Sequence, residues 1–180
     1  EARWELANYH YKRRNYSMAT QEFNQIRVRE LSKPRRDEYR FKLGHCHFEL
    51  EDYEQARVPL YEVLDVDGEF QSAAQYYFSH IAYLKGQPQV ALDGFQKIAD
   101  DPDFRELVPL YITQLHHALG QWEELKDYAP PLLDESSGLD EGSVAEVAHL
   151  LGDAWYRDEA YETASPYLEL AWEGTDGPGR

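Results

Sequence analysis

Seven histidines and one cysteine are the most versatile side chains in this sequence, and their spacing limits what they can do together. His45 and His47 are two residues apart and His116 and His117 are adjacent, so a helix would turn the members of each pair toward different faces. His10, His47 and His116 recur in equivalent slots that should face a neighbouring helix. His45, His80, His117 and His149 come from separate segments, expected about 10 Å apart if those segments are packed helices, which is too far to share one ion. Cys46 stands alone, so it cannot close an internal disulfide or build a zinc site by itself. It reads as a small buried apolar residue on a helix, compatible with a cytoplasmic or a periplasmic setting. No GxSxG elbow, glycine-rich phosphate loop, HExxH or CxxC is present. The acidic pairs Asp100-Asp101 and Glu123-Glu124 fit helix starts or water-facing edges. No catalytic residue, cofactor or metal is expected, and the chain is not expected to be an enzyme.

Charge narrows the partner class. The formal net charge is -16, distributed as +5 over residues 1–42 and -21 over residues 43–180. So acidic a body repels phosphate backbones, and nucleic acid is not an expected partner. The exception is the basic cluster Arg27, Arg29, Lys33, Arg35, Arg36, Arg40 and Lys42, read either as a solvated loop and helix start or as a docking patch for an acidic partner. No stretch approaches the roughly 18 uninterrupted apolar residues of a membrane span, so membrane insertion is not expected. The sequence opens inside a helical pattern without an initiator methionine and closes on a turn-like TDGPGR. It therefore reads as a piece of a longer protein, with 175–180 as a tail.

What must position these side chains is a repeat. The stretches 13–26, 50–63, 85–98, 119–132 and 158–171 share one frame: a polar or turn-like opening, a ring or proline, a small or apolar residue, then a bulky one. The small slot falls at Ala19, Ala56, Ala91, Leu125 and Ala164, at intervals of 37, 35, 34 and 39 residues. Upstream of each lies a second helical pattern: LANYHY, LGHCHF, FSHIAY, ITQLHH and LGDAWY. The unit is helix, tight turn, helix. Two helices approach closely only where one side chain is short, which gives the small slot its physical reason. Pro34, Pro102 and the segment 136–143 punctuate the units.

These features resemble the tetratricopeptide repeat family, whose unit is about 34 residues. The Leu-Gly pair of the first helix is present as Leu43-Gly44 and Leu151-Gly152, and the turn glycine as Gly86 and Gly120. The ring opening the second helix is Tyr16, Tyr53, Trp122 and Tyr161. The bulky residue after the small slot is Phe23, Leu60, Phe95 and Leu168. Pro88 replaces the ring in the third unit. The fourth carries Leu125 and Ala129 with the sizes exchanged, a swap within one packing site. The resemblance implies an all-α class, an α-α superhelix: a right-handed solenoid of antiparallel helix hairpins. It would form one array over 1–174, with units near 1–32, 35–68, 71–101, 103–134 and 143–173.

In this family the first helix of each hairpin lines a concave face. Carried over by position, that implies a peptide-binding groove of Trp4, Asn8 and Tyr11; Phe41, His45 and Phe48; Tyr76, Tyr77, His80 and Tyr83; Leu110, Tyr111, Gln114 and His117; and His149, Asp153 and Tyr156. Such a surface is rich in aromatics and histidine and poor in charge, which suits apolar or proline-rich extended segments or an inserted helix. The expectation is an interaction scaffold for a protein or peptide. The alternatives are a glycan-binding or envelope-assembly module, and a structural spacer. The apolar last helix, with Leu168, Ala171 and Trp172, should meet a further repeat or a second copy in a homodimer.

Overall fold

The computed structural model describes residues 1–65 and 67–176; the last four residues of the expected tail lie outside this range. Among the described residues the chain is all-α, with ten α-helices and no strand. The helices group into two compact units, Glu1–Gln87 and Pro88–Arg180.

The first unit holds α1 (Ala2–Lys12), α2 (Tyr16–Phe23), α3 (Lys33–Glu49), α4 (Tyr53–Leu64) and α5 (Gln71–Leu84). α1 pairs with α2 and α3 with α4, while α2 packs on α3 and α4 on α5. Two apolar clusters result. Trp4, Ala7, Ala19, Phe23, Tyr39 and Cys46 fill the first; Phe41, Ala56, Leu60, Val63, Ala74 and Ile81 fill the second. Cys46 is free and buried, as expected of a small apolar filler, and burial pushes its thiol up to about 12.

The second unit holds α6 (Pro88–Gln96), α7 (Val108–Leu119), α8 (Trp122–Tyr128), α9 (Glu141–Arg157) and α10 (Tyr161–Asp176). Leu125, Ala129, Val147, Leu151 and Ala154 form a buried cluster here. Lys126 is buried beside it, with its ammonium 2.7 Å from Glu123, bonded to Asp158 and 4.6 Å from the centre of the Trp155 ring. This pairing fastens α8 to the end of α9 and keeps the buried charge compensated.

The starts of helices follow local chemistry. The Asn15 side chain accepts from the Met18 N–H, and Asp140 accepts from the Ser143 N–H at 2.8 Å, each satisfying an orphan donor of a first turn. Pro34, expected at a unit boundary, lies inside the first turn of α3, where its missing N–H is harmless. The recurring slots are core positions: Ala19, Ala56, Ala91 and Leu125 are fully buried and Ala164 is 1% exposed.

The turn between the helices of each hairpin repeats more strictly than its sequence. Arg14, Glu51, Gly86, Gly120 and Glu159 all sit at φ between 57° and 67°. At each, the N–H bonds the carbonyl three residues back and the next N–H bonds the carbonyl five back, as in Asn15 to His10 and Asp52 to His47. This is the Schellman closure, which favours glycine because an L side chain is strained in the left-handed region. Only two of the five positions are glycine. Changing Arg14, Glu51 and Glu159 to glycine is therefore expected to stabilise the fold. Each change should contribute about 0.5–1 kcal/mol after the added unfolded-state entropy of glycine is subtracted. The thermal midpoint of the triple variant against the wild type checks this; an unchanged or lower midpoint would contradict it.

Candidate functional site

In the first unit, α1, α3 and α5 present a connected surface of rings. The Tyr11 hydroxyl lies 2.7 Å from Nδ1 of His45, and His45 Nε2 lies 3.2 Å from the Glu49 carboxylate. Because an ionised carboxylate only accepts, neutral His45 carries its proton on Nε2 and takes the Tyr11 O–H at Nδ1. The imidazole also stacks on Phe41 at 5.9 Å and meets Tyr16 at 5.5 Å and Tyr77 at 4.6 Å between ring centres. Phe48 extends the surface, 4.9 Å from Tyr77 and 5.4 Å from His80, and His80 continues it to Tyr76 and Tyr83.

Burial sets the protonation states. It pushes the Tyr77 phenol up to about 12, with Glu49 adding to the effect, and raises the Tyr11 phenol further still. It lowers His80, and it lowers His45 despite the opposing pull of Glu49. A Tyr–His–carboxylate chain has the outline of an activated nucleophile, but here the phenol is made less acidic, the reverse of activation.

The sequence-expected residues divide by burial. Trp4, Asn8 and Phe41 are 7%, 8% and 9% exposed. Trp4 packs its ring edgewise on Phe23, 6.2 Å away. Asn8 is engaged through both ends of its amide, donating to the Trp4 carbonyl and accepting from Lys42. These three stand behind the surface and support it. Tyr11, His45, Phe48, Tyr76, Tyr77, His80 and Tyr83 are half-buried and form it.

In the second unit, α7 and α9 bring His117 to Asp153 at 2.7 Å and Gln114 to Glu146 at 2.6 Å. Arg157 bonds the same Asp153 oxygen at 2.8 Å and lies 4.8 Å from the Trp122 ring centre, while His117 meets that ring edgewise. Burial would raise the Asp153 carboxyl, but the hydrogen bonds and charge of Arg157 and His117 hold it below its ordinary value. Tyr111 stacks on Phe95 at 5.0 Å, Leu110 packs against the apolar cluster, and His149 and Tyr156 are exposed. Arg157, Trp122, Tyr16 and Glu49 were not singled out from the sequence for this surface. The signal available for Glu49 was its place one helical turn after His45.

Much of the basic cluster is committed to neighbours. Arg27 pairs with Glu30, Arg35 with Glu1, Arg40 with Asp37 and Glu62, and Lys42 with Glu38. Among the described residues no group of His, Cys, Asp or Glu side chains is placed to hold a metal ion, and no helix is long and apolar enough to cross a membrane.

No family model matches the sequence, and no curated protein matches it. Solved structures do. A MamA protein superposes with a TM-score of 0.74 at 13% identity, covering 96% of this chain and 90% of its own. The putative kinesin light chain TPR-like repeats of Podosopora anserina give 0.68 at 17% identity, covering 99% and 96%. The C-terminal part of a TPR repeat-containing protein from Cytophaga hutchinsonii gives 0.67 at 19% identity, covering 96% of this chain and 64% of that one. The chain has the tetratricopeptide-repeat fold. At these identities the likeness speaks for the fold alone.

The first compact unit, Glu1–Gln87, should be sensitive to mild acid. His45 and His80 have folded pKa values below the unfolded value of about 6.5. Their neutral forms are favoured by folding, so their contribution is full above that pH and is lost as pH falls through the folded values. The slope cannot exceed about 1.4 kcal/mol per pH unit for each imidazole. Asp153, held low, acts in the same direction but only below the ordinary carboxylate range. Urea midpoints between pH 7.5 and 5 should therefore fall more for the wild type than for a His45→Gln, His80→Gln double variant. Parallel pH dependences would contradict the assignment.

Proposed function

We propose that this chain is an interaction scaffold, not an enzyme, and that the face formed by α1, α3 and α5 takes a peptide or protein segment. The supporting observation is the run of half-buried rings from Tyr11 through His45, Phe48 and Tyr77 to His80, in contact across three helices. Interlocked rings have little side-chain freedom left to lose on binding, and they offer apolar area edged by polar atoms. The non-enzymatic part rests on the raised Tyr11 phenol and on the absence of nucleophile and phosphate-loop motifs from the sequence. The acidic balance of the chain disfavours nucleic acid as the partner.

A Tyr76→Ala, His80→Ala double variant tests the face. Both side chains lie on one side of α5 and are half-buried, so the helical circular dichroism should be retained, and affinity is compared at a temperature where the melting curve shows the variant fully folded. Peptides selected on the wild-type chain from a random display library should bind the variant about tenfold or more weakly. Unchanged affinity would remove this face as the binding surface.

A second reading has its own observation. Trp172 is 66% exposed and Leu170 37%, and Trp172 lies beside Leu168 in a shallow depression on α10. Exposed apolar area of this kind favours self-association through α10. Light scattering that remained monomeric at high protein concentration would reject it.

A further inference from the structure

The joints between hairpins are built alike. In each, a second helix receives the first helix of the next hairpin: α2 receives α3, α4 receives α5, α6 receives α7 and α8 receives α9. In the frame that aligns LANYHY with LGHCHF, FSHIAY, ITQLHH and LGDAWY, the arriving helix buries its fourth residue. Cys46, Ile81, Leu115 and Ala154 are at most 2% exposed. The same slot on α1 is Tyr9, 52% exposed, and one turn earlier stands Leu6, 42% exposed. α1 thus carries the apolar pair of an arriving helix on a face that no helix covers among the described residues.

α10 is in the complementary state. In the bulky slot Phe23, Leu60, Phe95 and Ala129 are fully buried, whereas Leu168 is half-buried and lines the depression with Ser165, Glu169 and Trp172. The positions on α4 that match Ser165 and Glu169 are Arg57 and Tyr61, and they flank a ring of the arriving α5. Phe78 has the Arg57 guanidinium 5.7 Å from its ring centre and the Tyr61 ring at 5.9 Å. Leu6 is the counterpart of Phe78 on α1. The arriving helix also ends on a cation: Lys85 lies 5.9 Å from the centre of the Tyr53 ring and Arg157 4.8 Å from that of Trp122, the rings that open α4 and α8. Arg157 corresponds to Lys12, and the opening ring of α10 is Tyr161, 54% exposed. Charge agrees with this match. Lys12, Arg13 and Arg14 close α1, with Arg13 folded onto its own Tyr9. α10 holds Glu162, Glu169, Glu173 and Asp176 and neither lysine nor arginine.

We propose that the outer face of α10 takes α1 of a second copy of this chain, head to tail, with Leu6 and Tyr9 in the depression and Lys12 at Tyr161. The inference rests on the self-association reading and adds the surface that α10 meets. Two unlike faces are joined, so every joined pair keeps one open α1 and one open α10. Continuity with the four joints inside the chain gives the match of shape, and the opposite charges of the two faces give the match of sign. Physiological salt screens the repulsion between chains of net charge -16 beyond about 8 Å and leaves the closer contacts of the joint largely intact.

Sedimentation equilibrium of the full 180-residue chain at physiological salt should show reversible growth past the monomer, with a midpoint on the order of 100 μM for so small an interface. Two variants each block one face: Leu6→Glu with Tyr9→Glu on α1, and Trp172→Glu on α10. All three side chains are exposed, and circular dichroism verifies that the helices are kept. Each variant alone should stay monomeric where the wild type associates. Their equimolar mixture should form a pair of twice the monomer mass near the wild-type midpoint and grow no further, because each partner brings one intact face. Adding Lys12→Gln to the Trp172→Glu chain should weaken that pair about threefold. If the α1 variant associates as the wild type does while Trp172→Glu does not, self-association through α10 stands and the head-to-tail joint is overturned. A monomeric wild type would remove both readings. Association untouched by either variant, two monomeric variants that fail to pair, or a pair indifferent to Lys12→Gln would each overturn the joint.

Discussion

Gly152→Val is expected to destabilise the chain by about 3 kcal/mol, and Gly44→Val by a similar amount. Both glycines lie mid-helix, where alanine would ordinarily gain about 1 kcal/mol in helix propensity. The sign is reversed by what a Cβ would meet. At Gly152 it would fall 2.7 Å from Cδ2 and 2.8 Å from Cγ of Leu168, with the Leu168 backbone nitrogen at 3.3 Å. At Gly44 it would fall 2.6 Å from Cγ of Leu60, with the Ala56 carbonyl oxygen at 3.3 Å. Cγ is the branch point of a leucine and a backbone atom cannot swing away, so the paired helix must shift. Overpacking of this kind typically costs 1–3 kcal/mol, enough to cancel the propensity gain of alanine. Valine adds two methyl groups and a helix-disfavoured branch. A double-mutant cycle separates contact from propensity. Leu60→Ala alone should cost about 3 kcal/mol, and adding Gly44→Ala should recover at least 1 kcal/mol of it, because the new methyl enters the vacated space. Urea denaturation measures all the terms; strict additivity would show that Leu60 is not what excludes a side chain at Gly44.

Those two contacts also show what could be read beforehand. The Leu-Gly pairs, the small slots and the bulky residues after them are legible because packing two helices side by side imposes size at fixed intervals. The same argument located Ala19, Ala56, Ala91, Leu125 and Ala164 in the core. Less legible were features that sequence distance hides. The hydrogen-bonded chain from Tyr11 to His45 joins residues one repeat apart, and the Lys126–Asp158 pair does the same between the fourth and fifth hairpins. Neither partner's type reveals the other. The face of a first helix could be assigned by period, but not its depth. Trp4, Asn8 and Phe41 share the period of Tyr11 and His45, yet neighbouring helices cover them. The left-handed turns were half-visible. Gly86 and Gly120 announce the conformation, whereas Arg14, Glu51 and Glu159 adopt it because the hairpin closure over-determines their backbone.

The fourth hairpin offers the sharpest trial of whether the repeat is a packing rule or a resemblance of letters. Leu125 and Ala129 are both fully buried in one cluster with Val147, Leu151 and Ala154. The corresponding pairs elsewhere run small then large, as in Ala19 with Phe23 and Ala56 with Leu60. Leu125→Ala should cost about 4 kcal/mol, near the upper part of the range for a fully buried leucine, because the Pro130–Leu133 turn leaves the end of α8 little freedom to collapse into the space. Ala129→Leu alone should cost about 2 kcal/mol by overpacking. If the two positions share one cavity, combining them restores the order of the other hairpins, and the double variant should lie at least 3 kcal/mol above the sum of the single losses. That coupling would be visible as a shift of the urea midpoint back toward wild type. A double variant as unstable as the sum of its parts would mean that Leu125 and Ala129 fill separate spaces, and that the exchange of sizes is coincidence, not compensation.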